Sequence, residues 1–263
     1  QKTAYEIRPR DWSSDVCSSD LSSAIREVAT ATRGAQEGRM KRAFDCCAAL
    51  VGLVLTSPLF LVMAVWIKLD SPGPVFYRGL RIARGGGRFR IFKFRSMSQD
   101  ADRSGPSSTA GSDTRVTRSG HFIRRFKLDE LAQLLNVLIG DMSLVGPRPE
   151  VLRYLPMYAG PYAAVLRVRP GITDWASIWN RDEAAVLAGY PDADRAYEQL
   201  IQPTKLGLQL KYVQERSFLV DLSILRDTLR ALWDHDFYPE ALRDIPRLHP
   251  TVSPASSQPT PFA

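Results

Sequence analysis

The stretch CCAALVGLVLTSPLFLVMAVWI, residues 46–67, constrains the fold more than any other part of the sequence. It runs for 22 residues without a charged side chain. As a straight helix it would be about 33 Å long, which is enough to cross a bilayer. It starts too far into the chain, and lacks the small-residue cleavage site, to be an ordinary signal peptide. The segment therefore predicts a helix embedded in a membrane.

A Ser-Pro pair interrupts this apolar segment near its middle. Pro58 removes one helical hydrogen bond and clashes with the carbonyl four residues back, so a kink is expected there. The hydroxyls of Thr56 and Ser57 are placed to satisfy the backbone groups that the proline leaves free. The pair Ser57 and Pro58 is thus the predicted break of a helical hairpin over residues 39–70.

Basic residues flank the apolar segment on both sides, at Arg39, Lys41, Arg42 and Lys68. Basic residues favour the cytoplasmic side of a membrane. A spanning helix would put one basic flank outside, whereas a re-entrant hairpin keeps both flanks inside. The charges therefore favour the re-entrant hairpin, with a spanning helix and a buried helix of a soluble core as the alternatives.

The composition narrows the class of protein further. The chain has 263 residues, 44% of them hydrophobic, and a net charge of +7, which suits phosphate-bearing partners. Its three cysteines and three dispersed histidines form neither a disulfide framework nor a metal-binding spacing. The glycine motifs of P-loop NTPases, Rossmann dehydrogenases and α/β-hydrolases are absent from the sequence.

The two ends of the chain are expected to lie outside the folded part. Residues 10–21, RDWSSDVCSSDL, resemble the in-frame translation of a sequencing adaptor, so residues 1–21 are suspected not to be natural protein. The alternative is a polar tail, and either reading makes residues 1–38 a disordered segment. Five prolines within residues 246–263 predict a disordered Pro-rich tail.

Residues 71–245 are predicted to form one mixed α/β (α+β) domain. Residues 75–97 have the aromatic and β-branched pattern of a β-hairpin, with three glycines at the turn. Apolar residues at helical spacing predict helices over residues 128–139 and 219–233. Short aromatic helices over residues 150–169 suit either a membrane interface or a soluble core.

Residues 78–95 carry seven basic side chains, no acidic one and three interleaved phenylalanines. This pattern is compatible with single-stranded nucleic acid, with a solvated basic face, or with a surface for lipid phosphates. The neighbouring apolar segment favours lipid phosphates over nucleic acid.

Two adjacent carboxylates, Asp129 and Glu130, open the predicted helix just after three cationic residues. Acidic residues at a helix start often only complement the helix dipole. The functional alternative is a carboxylate nucleophile for phosphate chemistry, which needs nearby cations to offset charge repulsion. Arg148 lies between Pro147 and Pro149, which restrict its backbone and suit a bidentate grip on phosphate.

Taken together, these residues resemble the bacterial sugar transferases, the small monotopic phosphoglycosyl transferase family. The resemblance covers about residues 41–233. It rests on KRAFD (41–45), the Ser57–Pro58 pair, SPGPVFYR (71–78), KFRSM (93–97), LDELAQLLNVLIGDMSLVGPRPE (128–150), RPGIT (169–173) and SFLVDLSIL (217–225).

The resemblance implies a reaction and a place in the cell. A sugar 1-phosphate would move from a UDP-sugar to undecaprenyl phosphate with release of UMP, as the first membrane step of glycan assembly. Asp129 would be the nucleophile and bind Mg²⁺, and Glu130 would assist it. Lys93, Arg124 and Arg148 would bind the phosphates.

The family fold implied is a re-entrant hairpin with interfacial amphipathic helices around a small catalytic domain. That domain would contact membrane lipids on the cytoplasmic face of the inner membrane. No nucleic-acid partner is expected, and a homodimer is compatible with the resemblance. A non-catalytic membrane-bound scaffold and a basic nucleic-acid-binding protein are the rival functions.

Several positions depart from the commoner family pattern, namely Gly79, Ile82–Ala83, Asp174 and Gln209. The Asp129–Glu130 dyad is unaffected. The departures bear on sugar contacts, so the resemblance carries no sugar specificity to this chain.

Overall fold

The computed structural model describes residues 38–99, 101, 113–188, 190–234 and 236–248. The suspected foreign segment, the predicted N-terminal tail up to residue 37 and most of the Pro-rich tail lie outside these residues. The described part mixes helices with short strands, as the sequence predicted. The helices are α1 (Arg39–Asp70), α2 (Arg118–Arg125), α3 (Gln133–Ile139), α4 (Trp175–Trp179), α5 (Glu183–Leu187), α6 (Ala193–Ala196), α7 (Gln202–Glu215) and α8 (Phe218–Trp233). The strands are β1 (Phe76–Tyr77), β2 (Leu80–Ile82), β3 (Arg88–Arg90), β4 (Lys93–Phe94), β5 (Ser143–Val145) and β6 (Gly171–Thr173).

Helix α1 is continuous over 32 residues and contains Pro58. The proline offers no N–H to the carbonyl of Val54, and the Ser57 hydroxyl donates to that carbonyl at 2.8 Å instead. Thr56 donates similarly to the carbonyl of Gly52 at 2.6 Å. The structure thus does not confirm the predicted division into two hairpin helices at Ser57 and Pro58, because helical backbone continues through the pair.

Both ends of α1 contact the same domain. Near its start, Asp45 accepts a hydrogen bond of 2.7 Å from Ser143 of β5. At its end, Asp70 accepts from the backbone N–H and the hydroxyl of Ser119 in α2, at 2.9 and 2.8 Å. Between these anchors, many large apolar side chains are exposed: Leu50, Val51, Val54, Leu55, Leu61, Val62, Val65 and Trp66. Among the described residues, α1 is the one helix long and apolar enough to cross a membrane.

The predicted β-hairpin of residues 75–97 is present as two short antiparallel ladders. Strand β1 pairs with β4, with Tyr77 opposite Lys93, and β2 pairs with β3. The turn between β2 and β3 contains Gly85 and Gly86, both at a φ of 75°, where residues with a Cβ are disfavoured. The hairpin brings Lys93 to the edge of the domain where the dyad lies.

Strands β5 and β6 form a short parallel pair that supports the Gly-Pro-Arg-Pro loop after β5. Ser143 is opposite Gly171, and Val145 is opposite Thr173. The backbones approach closely just beyond this pair: a Cβ on Gly171 would lie 2.1 Å from the backbone nitrogen of Gly146. All three residues of β5 are buried. The loop that carries Arg148 therefore starts from a rigid, fully packed strand.

Two other predicted helical regions differ in detail from the expectation. Residues 128–139 begin as a 3₁₀ helix, Leu128–Ala132, before continuing as α3. Residues 150–169 form two 3₁₀ helices, Leu152–Tyr158, which contains Pro156, and Gly160–Arg167, which has Pro161 in its first turn. Nearby, Pro246 accepts a hydrogen bond of 2.9 Å from the Trp179 indole, which ties the start of the Pro-rich region to the domain.

Helix α8 has the predicted extent, but its apolar stripe faces outward. Trp233 is 88% exposed and Leu229 is 60% exposed, whereas Asp221 and Asp227 are buried. Asp221 is held there by Lys41 at 2.5 Å and by the Tyr212 hydroxyl at 2.7 Å. Buried acidic and exposed apolar side chains invert the usual pattern of a soluble protein, so this face of α8 fits an apolar medium better than water.

Candidate active site

Asp129 and Glu130 lie in the first turn of the 3₁₀ helix Leu128–Ala132, and Asp129 is buried. The residue before this helix, Lys127, has a φ of 55° and lies in the left-handed region. A residue other than glycine pays of order 1 kcal/mol for this conformation, and such strain clusters at functional sites. The Lys127 side chain donates to the carbonyl of Arg181 at 3.2 Å. The left-handed backbone of Lys127 and the hydrogen bond of its side chain thus both fix the turn that presents the dyad.

Lys93 of β4 lies beside both carboxylates. Its ammonium is 3.4 Å from Oδ2 of Asp129 and 3.5 Å from Oε1 of Glu130. The other oxygen of Asp129, Oδ1, has no hydrogen-bond donor among the residues that the structure describes. A carboxylate that keeps one free oxygen beside a cation is suited to attack an electrophile.

Arg148 contacts Glu130 through both terminal nitrogens of its guanidinium. Nη1 donates to Oε2 at 2.9 Å, and Nη2 contacts Oε1. Burial favours the protonated form of Glu130, but the charges of Arg148 and Lys93 outweigh this and hold the pKa of Glu130 well below its usual range. Glu130 in turn raises the pKa of Arg148, against the effect of burial. Glu130 is therefore an ionised acceptor.

Arg124 approaches the same site from α2. Its Nε donates to the Ser96 hydroxyl at 3.0 Å. Burial lowers the pKa of Arg124, and the nearby charge of Asp129 works against this shift. The structure thus brings together all five site residues that the sequence singled out around the dyad, namely Lys93, Arg124, Asp129, Glu130 and Arg148. It places Ser57 and Pro58 apart from them, in α1.

Four other residues lie at this site: Asn180 and Glu183, which the sequence did not single out, and Asp174 and Gln209, whose departure from the family pattern pointed to sugar contacts and not to Arg148. Asp174 and Gln209 hydrogen-bond the backbone of Arg148. Asn180 donates to Glu183, and the charge of Glu183 contributes to the raised pKa of Arg148. Asp174 does carry a signal, because an aspartate before a short helix predicts an N-cap, but that signal says nothing about Arg148. The partner of a buried glutamine such as Gln209 cannot be read from helical spacing.

A divalent cation fits this site only with help from the substrate. No group of three or more His, Cys, Asp or Glu side chains able to hold a metal occurs among the described residues. Both oxygens of Glu130 are engaged by cations, which leaves Asp129 as the available carboxylate. Mg²⁺ commonly binds through one or two carboxylates and completes its shell with substrate phosphates and water. The residues present are compatible with that mode.

The sequence of the chain matches a known family. The sequence model of the bacterial sugar transferase family matches residues 36–235. The chain therefore belongs to the bacterial sugar transferase family. The matched range contains α1, the hairpin, the dyad and α8.

Individual relatives come from several bacteria. A protein of Aeromonas hydrophila named UDP-N-acetylgalactosamine-undecaprenyl-phosphate N-acetylgalactosaminephosphotransferase is 40% identical over 201 residues, which are 73% of this chain and 43% of that protein. A UDP-glucose:undecaprenyl-phosphate glucose-1-phosphate transferase of Caulobacter vibrioides is 37% identical over 199 residues, 74% of this chain and 70% of that protein. An exopolysaccharide production protein of Rhizobium meliloti is 36% identical over 210 residues, 74% of this chain and 86% of that protein. The chain thus spans less than half of the Aeromonas relative.

Proposed function

We propose that this protein is a transferase that moves a sugar 1-phosphate from a UDP-sugar to undecaprenyl phosphate and releases UMP. One observation carries the proposal: Asp129 presents a carboxylate oxygen that has no hydrogen-bond partner within the described part of the chain, in a site lined by Lys93, Arg124 and Arg148. An anion that attacks a phosphate meets repulsion, which fixed cations offset. The names of the relatives agree with this reaction.

The proposed mechanism has two displacements at one phosphorus atom. In the first, Asp129 attacks the β-phosphorus of the UDP-sugar, an Asp–phosphorus bond forms, and the bond to UMP breaks. In the second, the phosphate oxygen of undecaprenyl phosphate attacks the same phosphorus, and the Asp129 carboxylate leaves. The product is the sugar linked to undecaprenol through a diphosphate. Splitting the transfer in this way replaces one difficult step by two easier ones.

The neighbours of Asp129 then have distinct roles. Lys93 and Arg124 offset the negative charge on the donor diphosphate. Glu130 stays ionised because of Arg148, so it orients cations and does not supply protons. Arg148 is positioned to exchange part of its contact with Glu130 for a phosphate oxygen as charge develops there. Mg²⁺, held by Asp129 together with phosphate oxygens, would supply further neutralisation of the diphosphate.

The lipid acceptor requires the site to face a membrane surface, and three features support that placement. Both ends of α1 are anchored on the same domain, as expected for a re-entrant segment and not for a spanning one. The exposed apolar residues of α8 support an interfacial helix. Phe122 and Phe126 of the α2 region are also exposed, and the centroids of their tilted rings lie 4.7 Å apart. We place the catalytic domain on the cytoplasmic face of the inner membrane, where UDP-sugars are made.

The decisive test is UMP release by the protein in nanodiscs. A panel of UDP-sugars is offered with undecaprenyl phosphate and Mg²⁺, and parallel reactions contain EDTA or omit the lipid. We expect UMP to form with one or a few donors, and only with metal and lipid in multiple-turnover conditions. Absence of UMP with every donor, for the full chain and for a version without residues 1–21, would contradict the transferase and favour a scaffold.

A further inference from the structure

The backbone of Arg148 is held at both of its polar groups by buried side chains. Its N–H donates to Oδ2 of Asp174 at 3.2 Å, and its carbonyl accepts from Nε2 of Gln209 at 3.2 Å. Asp174 precedes α4 and Gln209 lies in the middle of α7, and both residues are fully buried. Two elements distant in sequence thus converge on one peptide unit.

Each of these two side chains is itself fixed by a second contact. Oδ1 of Asp174 caps α4 and accepts from the N–H and the hydroxyl of Ser177, both at 2.6 Å. Oε1 of Gln209 accepts from the Tyr158 hydroxyl at 3.3 Å. The amide of Gln209 is therefore oriented with its nitrogen towards Arg148. Neither side chain is free to rotate without loss of a buried hydrogen bond, which is unfavourable.

Arg148 needs such support because of its neighbours in the chain. Pro147 and Pro149 have no N–H, so only the N–H of Arg148 can tie this stretch down as a donor. The preceding backbone is bonded to β6 and its start, through Gly146 N–H to the Thr173 carbonyl and the Pro147 carbonyl to the Gly171 N–H, both at 3.0 Å. The backbone pairing with the β6 region ends at Pro147, and beyond this residue side chains hold the loop in place.

We propose that Asp174 and Gln209 are positioning residues that hold Arg148 in register with Glu130 and, if the proposed function holds, with the transferred phosphate. Both positions depart from the commoner family pattern, where they suggested altered sugar contacts. Their hydrogen bonds among the described residues go to Arg148, Ser177 and Tyr158, and none goes to the dyad. The departures at Asp174 and Gln209 therefore act on the position of Arg148 and not through a contact with the dyad.

Two variants remove these supports with little change in volume. Asp174→Asn keeps a good N-cap for α4 but replaces the acceptor facing the Arg148 N–H by a donor. Gln209→Leu removes the donor to the Arg148 carbonyl. The matched control is Gln202→Leu, because Gln202 is also buried in α7 and neither of its amide atoms has a partner among the described residues.

The first measurement does not depend on transferase activity. Hydrogen–deuterium exchange is followed in the peptide of residues 146–151, where the two prolines contribute no amide. We expect Asp174→Asn and Gln209→Leu to raise exchange in this peptide, with Gln202→Leu unchanged. Unaltered exchange in both variants would overturn the proposal even if the protein released no UMP, and UMP release by the wild-type protein is tested separately.

The second readout is kinetic. A misplacement of about 1 Å in a catalytic group lowers rates by up to about 100-fold, so we expect kcat for UMP release to fall about 10- to 100-fold in each variant. In an Arg148→Ala background, Gln209→Leu should cause no further loss, because its effect passes through Arg148. Losses that multiply in the double variant would indicate a general structural role and overturn the proposal.

Discussion

At the scale of single residues, the two adjacent carboxylates of the dyad have different surroundings. Glu130 is gripped by the guanidinium of Arg148 and also contacts Lys93. Asp129 contacts Lys93 through one oxygen at 3.4 Å. Opposite roles for neighbouring carboxyl groups commonly follow from such differences in environment. Here they separate a fixed acceptor, Glu130, from a candidate nucleophile, Asp129.

Replacement of Asp129, the proposed nucleophile, tests this assignment. Asp129→Asn should abolish UMP release, because a carboxamide is a far weaker nucleophile, while thermal stability and membrane association stay unchanged. With a donor labelled in its β-phosphate and no lipid acceptor, the wild-type protein should retain hydroxylamine-sensitive label and the variant none. Asp244→Asn, the same change on an exposed carboxylate, is the control. Measurable turnover by Asp129→Asn would contradict the proposed aspartyl intermediate.

The lowered pKa of Glu130 gives a prediction about pH. A carboxyl group whose pKa is lower when folded stabilises the native state above its unfolded pKa, and this contribution is lost only as pH falls through the folded value. Glu130 should thus stay ionised from about pH 5 to 9, a range that lies above the reference pKa of a glutamate. We expect kcat profiles of the wild-type protein and Glu130→Gln to share the same acid limb, although Glu130→Gln is slower. An acid limb that disappears in Glu130→Gln would contradict this.

At the scale of elements, the contact between β5 and β6 sets how firmly the Arg148 loop is anchored. Gly171→Ala should destabilise the protein by about 1–3 kcal/mol, because the new methyl group would meet the backbone of Gly146, which cannot yield as a flexible side chain would. Gly87→Ala is the matched control, since a Cβ there has no neighbour closer than 3.8 Å. Thermal unfolding of both variants in nanodiscs measures the difference. Equal stability of the two would show that the strands separate at little cost.

The elements also show how far the sequence predicted the structure. The β-hairpin, the helix at the dyad and the extent of α8 follow from local patterns of apolar and turn residues. The continuity of α1 through Pro58 does not, because it depends on the Ser57 hydroxyl reaching the Val54 carbonyl. The contacts of Asp174 and Gln209 with Arg148 join residues 26 and 61 positions apart. Local periodicity carries no information about such pairings.

At the scale of the whole molecule, exposed apolar side chains mark a surface suited to lipid. Trp233 and Leu229 of α8 are exposed although Asp221 and Asp227 of the same helix are buried. Leu229→Glu should weaken binding to vesicles of anionic lipid without loss of thermal stability, because a charge at this site opposes insertion and disturbs no core contact. Vesicle flotation measures binding, and Arg226→Glu, also in α8, separates loss of apolar contact from loss of positive charge. Unchanged flotation of Leu229→Glu would show that this face of α8 contacts water and not lipid.

The course of α1 decides how the molecule meets the bilayer. Its start is tied to β5 through Asp45 and its end to α2 through Asp70, so the two ends should lie on one side of the membrane. Single cysteines at Gly38 and Leu69, in a chain without its native cysteines, should both react with a membrane-impermeant maleimide in vesicles of one orientation, and both be protected in vesicles of the other. A spanning helix would expose one cysteine in each. Labelling of the two cysteines from opposite sides would show that one end of α1 does not lie on the domain. That result would contradict the contact between Asp45 and β5, the strand that leads to Arg148.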